Sequence, residues 1–164
     1  MITYKKITID LLRHGHCDDG KIYRGSTNSP LSELGWQQMR QVLVNNELTS
    51  MWQSVICSPL VRCQAFAQTL TTELNLPLQS MPEFREYHFG DWEGQLIETI
   101  WQMQPKLAQQ FYDDPQHITP PNAELMQSFI ARLLQGLQQI SQQYDQQHVL
   151  LISHAGVIRA LICH

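Results

Sequence analysis

The sequence predicts a single α/β domain: a mostly parallel sheet with helices layered on both sides. Three observations carry that expectation. Strand-like and helix-like segments alternate along the chain, as they do in βαβ folds. The strand candidates are short apolar runs bounded by polar or turn residues, which suits a buried sheet. The chain has 164 residues, 43% hydrophobic and 16% charged, enough for one domain with a real core.

The elements follow in order. Residues 7–12 read I-T-I-D-L-L, a first strand that stops on Arg13-His14-Gly15. A long polar loop covers 13–31, and Ser32 opens a helix to about Asn46. Residues 54–57 form a short strand. Ser58-Pro59 reads as a helix start, with Ser as N-cap and Pro in the first helical position, and that helix runs to about Leu74. A short strand follows at 78–81, then an irregular stretch at 82–94 rich in aromatics and acids, then helical pieces around 95–112. Pro115, Pro120 and Pro121 break the pattern before a long helix over 122–144. The last strand spans 148–152, and Ser153-His154-Ala155-Gly156 leads into a final apolar helix. That helix reaches His164 with neither cap nor polar tail, which is expected of a truncated product.

Bulk properties narrow the class. A net charge of −4 argues against a general nucleic-acid binder. No apolar run reaches membrane-spanning length, and the first residues enter the first strand without a signal-peptide region, so a cytoplasmic location is expected. Cys17, Cys57, Cys63 and Cys163 form no C-x-x-C pair and read as reduced thiols.

In open parallel sheets, ligands bind beyond the carboxyl ends of strands. There this chain places Arg13-His14, Ser58 with Arg62 one helical turn on, and His154. The 82–94 stretch adds Glu86. If the strands are neighbours, two arginines, two histidines and a carboxylate share one crevice. That set suits phosphoryl transfer. Guanidinium forks hold phosphate oxygens, a helix N-terminus adds N–H donors, histidine is a competent nucleophile, and a carboxylic acid protonates the leaving oxygen. Protein cations supply the charge stabilisation, so no metal or other cofactor is expected. His16 and His14 form an H-x-H pair with Asp18 and Asp19 nearby, but two arginines in the crevice would repel a dication. A cysteine phosphatase loop also fails on spacing. Arg24 stands one position too far from Cys17, and Arg62 one too near Cys57.

Four segments together carry a resemblance: L-R-H-G at 12–15, C-S-P-L-V-R at 57–62, E-Y-H-F-G-D-W-E-G at 86–94 and S-H-A-G at 153–156. In this order and spacing they resemble the histidine phosphatase, or phosphoglycerate mutase-like, superfamily. Y-R-G at 23–25 and P-L-S-E-L-G at 30–35 resemble its substrate loop and following helix start. The resemblance covers nearly the whole chain, 1–164, and implies a three-layer α/β/α fold. It implies His14 as the phosphorylated nucleophile, Arg13, Arg62 and His154 as phosphoryl binders, and Glu86 as proton donor. Gly15, Arg24, Gly25, Ala155, Gly156 and Glu124 complete the implied substrate contacts. The segments 89–93 and 121–124 resemble the α-ribazole phosphatase branch, which dephosphorylates α-ribazole phosphate in assembly of the cobalamin nucleotide loop. His16-Cys17, Gly20 and Ala123 depart from the family pattern, so an altered phosphate pocket is expected. The rival activities are mutase, sugar-phosphate phosphatase and protein phosphohistidine phosphatase. A rival of another class is a non-catalytic phosphate-binding module. The expected partner is a small phosphomonoester, with neither nucleic acid nor membrane.

Overall fold

A computed structural model describes residues 6–44 and 50–163. Among them, four strands and six α-helices alternate: β1 (Thr8–Arg13), α1 (Glu33–Val44), β2 (Ser54–Cys57), α2 (Val61–Leu74), β3 (Leu78–Ser80), α3 (Ile97–Met103), α4 (Pro105–Asp113), α5 (Met126–Gln143), β4 (His148–Ser153) and α6 (Ala155–Cys163). Short 3-10 turns at Pro82–Phe84 and Gly90–Trp92 punctuate the irregular stretch. The sheet order is β1-β4-β2-β3, and every pairing is parallel. The expected strand positions agree with these bounds to within a residue.

Side chains on a strand alternate between faces, and here both faces are apolar. Val55 and Cys57 of β2, with Leu150 and Ile152 of β4, face Met39 of α1 and Phe66, Ala67 and Leu70 of α2. Ile56, Val149 and Leu151 face Phe129, Leu133 and Ile140 of α5 and Val157 of α6. The result is the expected three-layer sandwich. A third apolar cluster, Trp92, Ile100 and Ala108 with Tyr23, Phe89 and Phe111 against it, lies under α3 and α4. It anchors the aromatic segment after β3 through Trp92, with Phe89 packed against it.

Two helix starts differ from expectation. Helix α2 begins at Val61, not at Pro59, and its N-cap is Leu60. The Ser58 hydroxyl accepts from His154 Nε2 at 2.7 Å as well as from the Leu60 N–H at 3.3 Å, and the Val61 N–H is satisfied by Asn28 Oδ1 at 2.8 Å from a distant loop. Helix α5 begins at Met126, four residues later than expected. The intervening turn closes with Ala123 N–H on the Pro120 carbonyl, and Asn122 takes φ 58°, which no α-helix accommodates. Ser32 does open α1: its hydroxyl accepts the Gly35 N–H at 3.0 Å. The far end of that helix near Asn46, and His164, lie outside the described residues.

Cys17, Cys57 and Cys63 are buried free thiols, and Cys163 is an exposed one. Among the described residues, no helix is long and apolar enough to cross a membrane.

Candidate active site

Strands β1, β4 and β2 are side by side, which was the condition for a shared crevice. Arg13 aligns with Ser153 and Cys57 with Ile152, so the three strands end in one row. The His14 N–H donates to the Ser153 carbonyl and the Ser58 N–H to the Ile152 carbonyl, both at 3.0 Å. The residues that leave these strands therefore start from fixed backbone. His14 and His154 face each other with ring centroids 5.2 Å apart and planes at 61°.

The hydrogen bonds assign each ring's tautomer. His14 Nδ1 lies 2.8 Å from the Gly15 carbonyl, which can only accept, so Nδ1 carries the proton and Nε2 keeps its lone pair. Burial, reinforced by the charges of Arg62, Arg13 and Arg24, pushes the His14 imidazole down to about 4 against the pull of that hydrogen bond. His14 is therefore neutral at pH 7. His154 is fully buried. Its Nδ1 accepts from Arg62 Nε at 3.3 Å, so its Nε2 donates to Ser58 Oγ at 2.7 Å. Burial and the Arg62 charge hold His154 well below the usual histidine range.

Arg62 is fully buried. Beyond His154, its Nη1 donates to the Thr27 carbonyl and its Nη2 to the Gly25 carbonyl, each at 2.7 Å. Five guanidinium donors less these three leave one N–H on each terminal nitrogen, enough for a two-pronged grip on an anion. Gly25, expected to touch substrate, thus contributes a carbonyl that orients Arg62.

Glu86 sits against the start of α6. Its Oε2 accepts the Gly156 N–H at 3.1 Å and its Oε1 the Tyr87 N–H at 3.0 Å. A Cβ on residue 156 would meet Oε1 at 2.4 Å, so only glycine leaves room for this carboxylate. The Gly156 N–H, expected to serve the substrate, is occupied by Glu86. Burial raises the Glu86 carboxyl above the ordinary range, and the two N–H bonds and Arg62 offset part of that rise. The neighbouring acids are spent elsewhere. Glu93 accepts the Ser26, Thr27 and Phe89 N–H groups, and Glu83 accepts from Gln139.

A cavity of about 470 Å³ opens beside His14, lined by Arg13, His14, Lys21, Ile22, Arg24 and Ile97 among others. Arg62, His154 and Glu86 do not contribute to that lining. Arg13 is exposed at the end of β1. Arg24 is on the cavity but is tied to Asp19, with Nε 3.0 Å from Oδ1, and Asp19 is also held by the Ser29 hydroxyl. Gly15 lies against α1: a Cβ there would meet the Gly35 carbonyl oxygen at 2.3 Å. Ala155 is the first residue of α6, half-buried beside Gly156. Glu124 is not in the cavity lining, and both its oxygens are on Arg132. His16 turns its Nδ1 to Ser32 Oγ at 2.8 Å. Burial raises the Cys17 thiol, which leaves it less thiolate than a free cysteine.

The partnerships of Asp19, Asn28, Glu93 and Arg132 escaped the sequence reading. Their partners are four to 67 residues away, and no periodicity pairs them. The one available signal was an unassigned charge beside an expected site residue, such as Asp19 before Arg24.

A neutral buried histidine beside a part-free arginine and a protonatable carboxyl, at the carboxyl edge of a parallel sheet, fits a phosphoric monoester hydrolase, and the comparisons agree. The model of the histidine phosphatase superfamily (branch 1) matches residues 9–164, and the chain belongs to that superfamily. It is 32% identical over 155 residues to the adenosylcobalamin/alpha-ribazole phosphatase of Escherichia coli K12, spanning 93% of this chain and 75% of that protein. The crystal structure of the alpha-ribazole phosphatase from Shigella flexneri superposes with a TM-score of 0.77 at 30% identity, covering 94% of this chain and 77% of that one. Bacillus stearothermophilus YhfR gives a TM-score of 0.84 at 26% identity, over 96% and 79% of the two chains.

Proposed function

We propose that this phosphatase works through a phosphohistidine at His14 and that its substrate is α-ribazole 5'-phosphate. The observation that supports the mechanism is the fixed, neutral His14, whose Nδ1 proton is held by the Gly15 carbonyl so that the Nε2 lone pair is free to attack. In the first step a P–N bond forms at Nε2 while the P–O bond to the leaving group breaks. Protonated Glu86 gives its proton to the departing oxygen. Arg13, Arg62 and His154 hold the phosphoryl oxygens, Arg62 with its two remaining N–H donors. In the second step water attacks phosphorus and the P–N bond breaks. The Glu86 carboxylate takes the water's proton, and inorganic phosphate leaves. No step passes through a metal.

The substrate rests on likeness to the adenosylcobalamin/alpha-ribazole phosphatase of Escherichia coli and the alpha-ribazole phosphatase of Shigella flexneri. The cavity beside His14 offers Ile22 and Ile97 to the apolar part of a leaving group and Lys21 and Arg24 to its polar part. Phosphate release should be measured across a panel of phosphomonoesters with EDTA present. The expected result is undiminished turnover, with kcat/KM for α-ribazole phosphate at least about tenfold above the rest. Loss of activity in EDTA overturns the metal-free mechanism. A flat panel, or a different best substrate, overturns the substrate.

A further inference from the structure

Arg132 lies on α5, outside the cavity lining, yet all five of its guanidinium N–H groups are used at one place. Nη1 donates to the Glu83 carbonyl at 2.6 Å and the Arg85 carbonyl at 2.7 Å. Nη2 donates to the Glu86 carbonyl at 2.9 Å. Nε and the second Nη2 proton meet Glu124 Oε1 and Oε2 at 2.7 and 2.9 Å. Three of these contacts are on the backbone that carries Glu86, including Glu86 itself. The carboxylate side is closed by Glu124, whose own N–H donates to the His88 carbonyl at 2.9 Å, two residues past Glu86. The guanidinium also lies 4.7 Å from the centroid of the Phe129 ring, which fixes its plane.

This geometry is specific. Residues 85–89 belong to no helix or strand, so no ladder of their own sets the height of Glu86 over the crevice. Arg132 supplies that ladder from a packed helix. Only a planar fork can reach three consecutive-region carbonyls and a carboxylate together, and a lysine cannot. From these contacts we infer that the Arg132–Glu124 pair is a positioning device that holds Glu86 within proton-transfer reach of the leaving oxygen. The inference rests on the reading of Glu86 as proton donor. Arg132 touches no reacting atom.

A general acid placed about an ångström off loses much of its effect, so the cost appears where a proton is needed. The test compares kcat/KM for an alkyl phosphate, a poor leaving group, with kcat/KM for an activated aryl phosphate, because kcat/KM reports the step in which the leaving oxygen departs and not the later hydrolysis that Glu86 also serves. The ratio of the two is independent of how much protein is folded. In Arg132→Lys the alkyl-to-aryl ratio should fall by about tenfold to a hundredfold. Glu124→Gln keeps the Arg132 contacts to the carbonyls and should lower the ratio less, in the same direction. It carries the test if Arg132→Lys fails to fold. Glu86→Gln is measured beside them, together with the Arg132→Lys, Glu86→Gln double variant. If Arg132 acts only through Glu86, the double variant has the ratio of Glu86→Gln alone. A fall of both rates in parallel in the Arg132 and Glu124 variants, with the ratio collapsing in Glu86→Gln, overturns the positioning role and leaves the proton donor intact. An unchanged ratio in Glu86→Gln itself overturns the proton donor, and the positioning role with it.

Discussion

At the scale of single residues, the site separates its acid from its nucleophile by environment. Burial lowers His14, a base, to about 4 and raises Glu86, an acid. At neutral pH the histidine is free to attack, while the carboxyl holds its proton more tightly than an ordinary glutamate. The pH profile of kcat/KM should rise as His14 loses its proton near pH 4 and fall at higher pH as Glu86 loses its own. The substrate's second ionisation near pH 6 overlaps this window. The reading is therefore the difference between wild type and Glu86→Gln, in which the fall due to Glu86 should vanish. Arg62→Ala should lower kcat/KM by roughly 10²–10³, and Arg62→Lys should recover only part, because its fork also orients His154 and grips two carbonyls. Full activity in Arg62→Lys would show that the fork is dispensable. That His14, Ser58 and His154 stand at neighbouring strand ends was legible in the sequence, because each follows an apolar run that the fold lines up. The pairing of Arg24 with Asp19 and of Glu124 with Arg132 was not, since nothing in a linear pattern says which charges meet across loops.

At the scale of elements, helix ends do the positioning. Helix α6 presents its Gly156 N–H to Glu86, and α2 is capped from outside by Asn28. Gly156→Ala should displace Glu86, since its Cβ would fall 2.4 Å from Oε1. The expected signature is the same loss of alkyl over aryl turnover, and a variant with an unchanged ratio would remove the close approach from the account. Asn28→Ala should lower stability by about 1 kcal/mol, as loss of a cap does, read as a shift of the unfolding midpoint. The strands were readable from apolar runs, and the ends of α2, α4 and α5 fall within a residue of the expected positions. The starts of α2 and α5 were not readable. One depended on Asn28 reaching the Val61 N–H from a distant loop and the other on a turn whose Asn122 is held by Asp91, and both are tertiary facts.

At the scale of the whole molecule, two neutral histidines buried at the site make the fold acid-sensitive. Both have folded values below the unfolded one of about 6.5, so the unfolded chain binds more protons as pH falls below that value. Stability should be fully present above about pH 6.5 and fall through the window toward pH 4, by at most ~1.4 kcal/mol per pH unit for each histidine. Glu86, raised in the fold, works the other way and offsets part of the loss. Denaturant titrations of wild type and His14→Asn between pH 4 and 7 check this: the variant should have the shallower slope, and equal slopes would mean that His14 is not buried neutral. The two-faced sheet that creates this environment was legible in the unbroken apolar runs 55–57 and 149–152. The central claim is that His14 carries the phosphoryl group. Rapid quenching of the enzyme with a radiolabelled phosphomonoester tests it most directly. The expected result is a label on the protein that is stable in base, labile in acid, formed within one turnover, and absent from His14→Ala, which should also lack turnover. A label that persists in His14→Ala, or turnover without any covalent label, would contradict it.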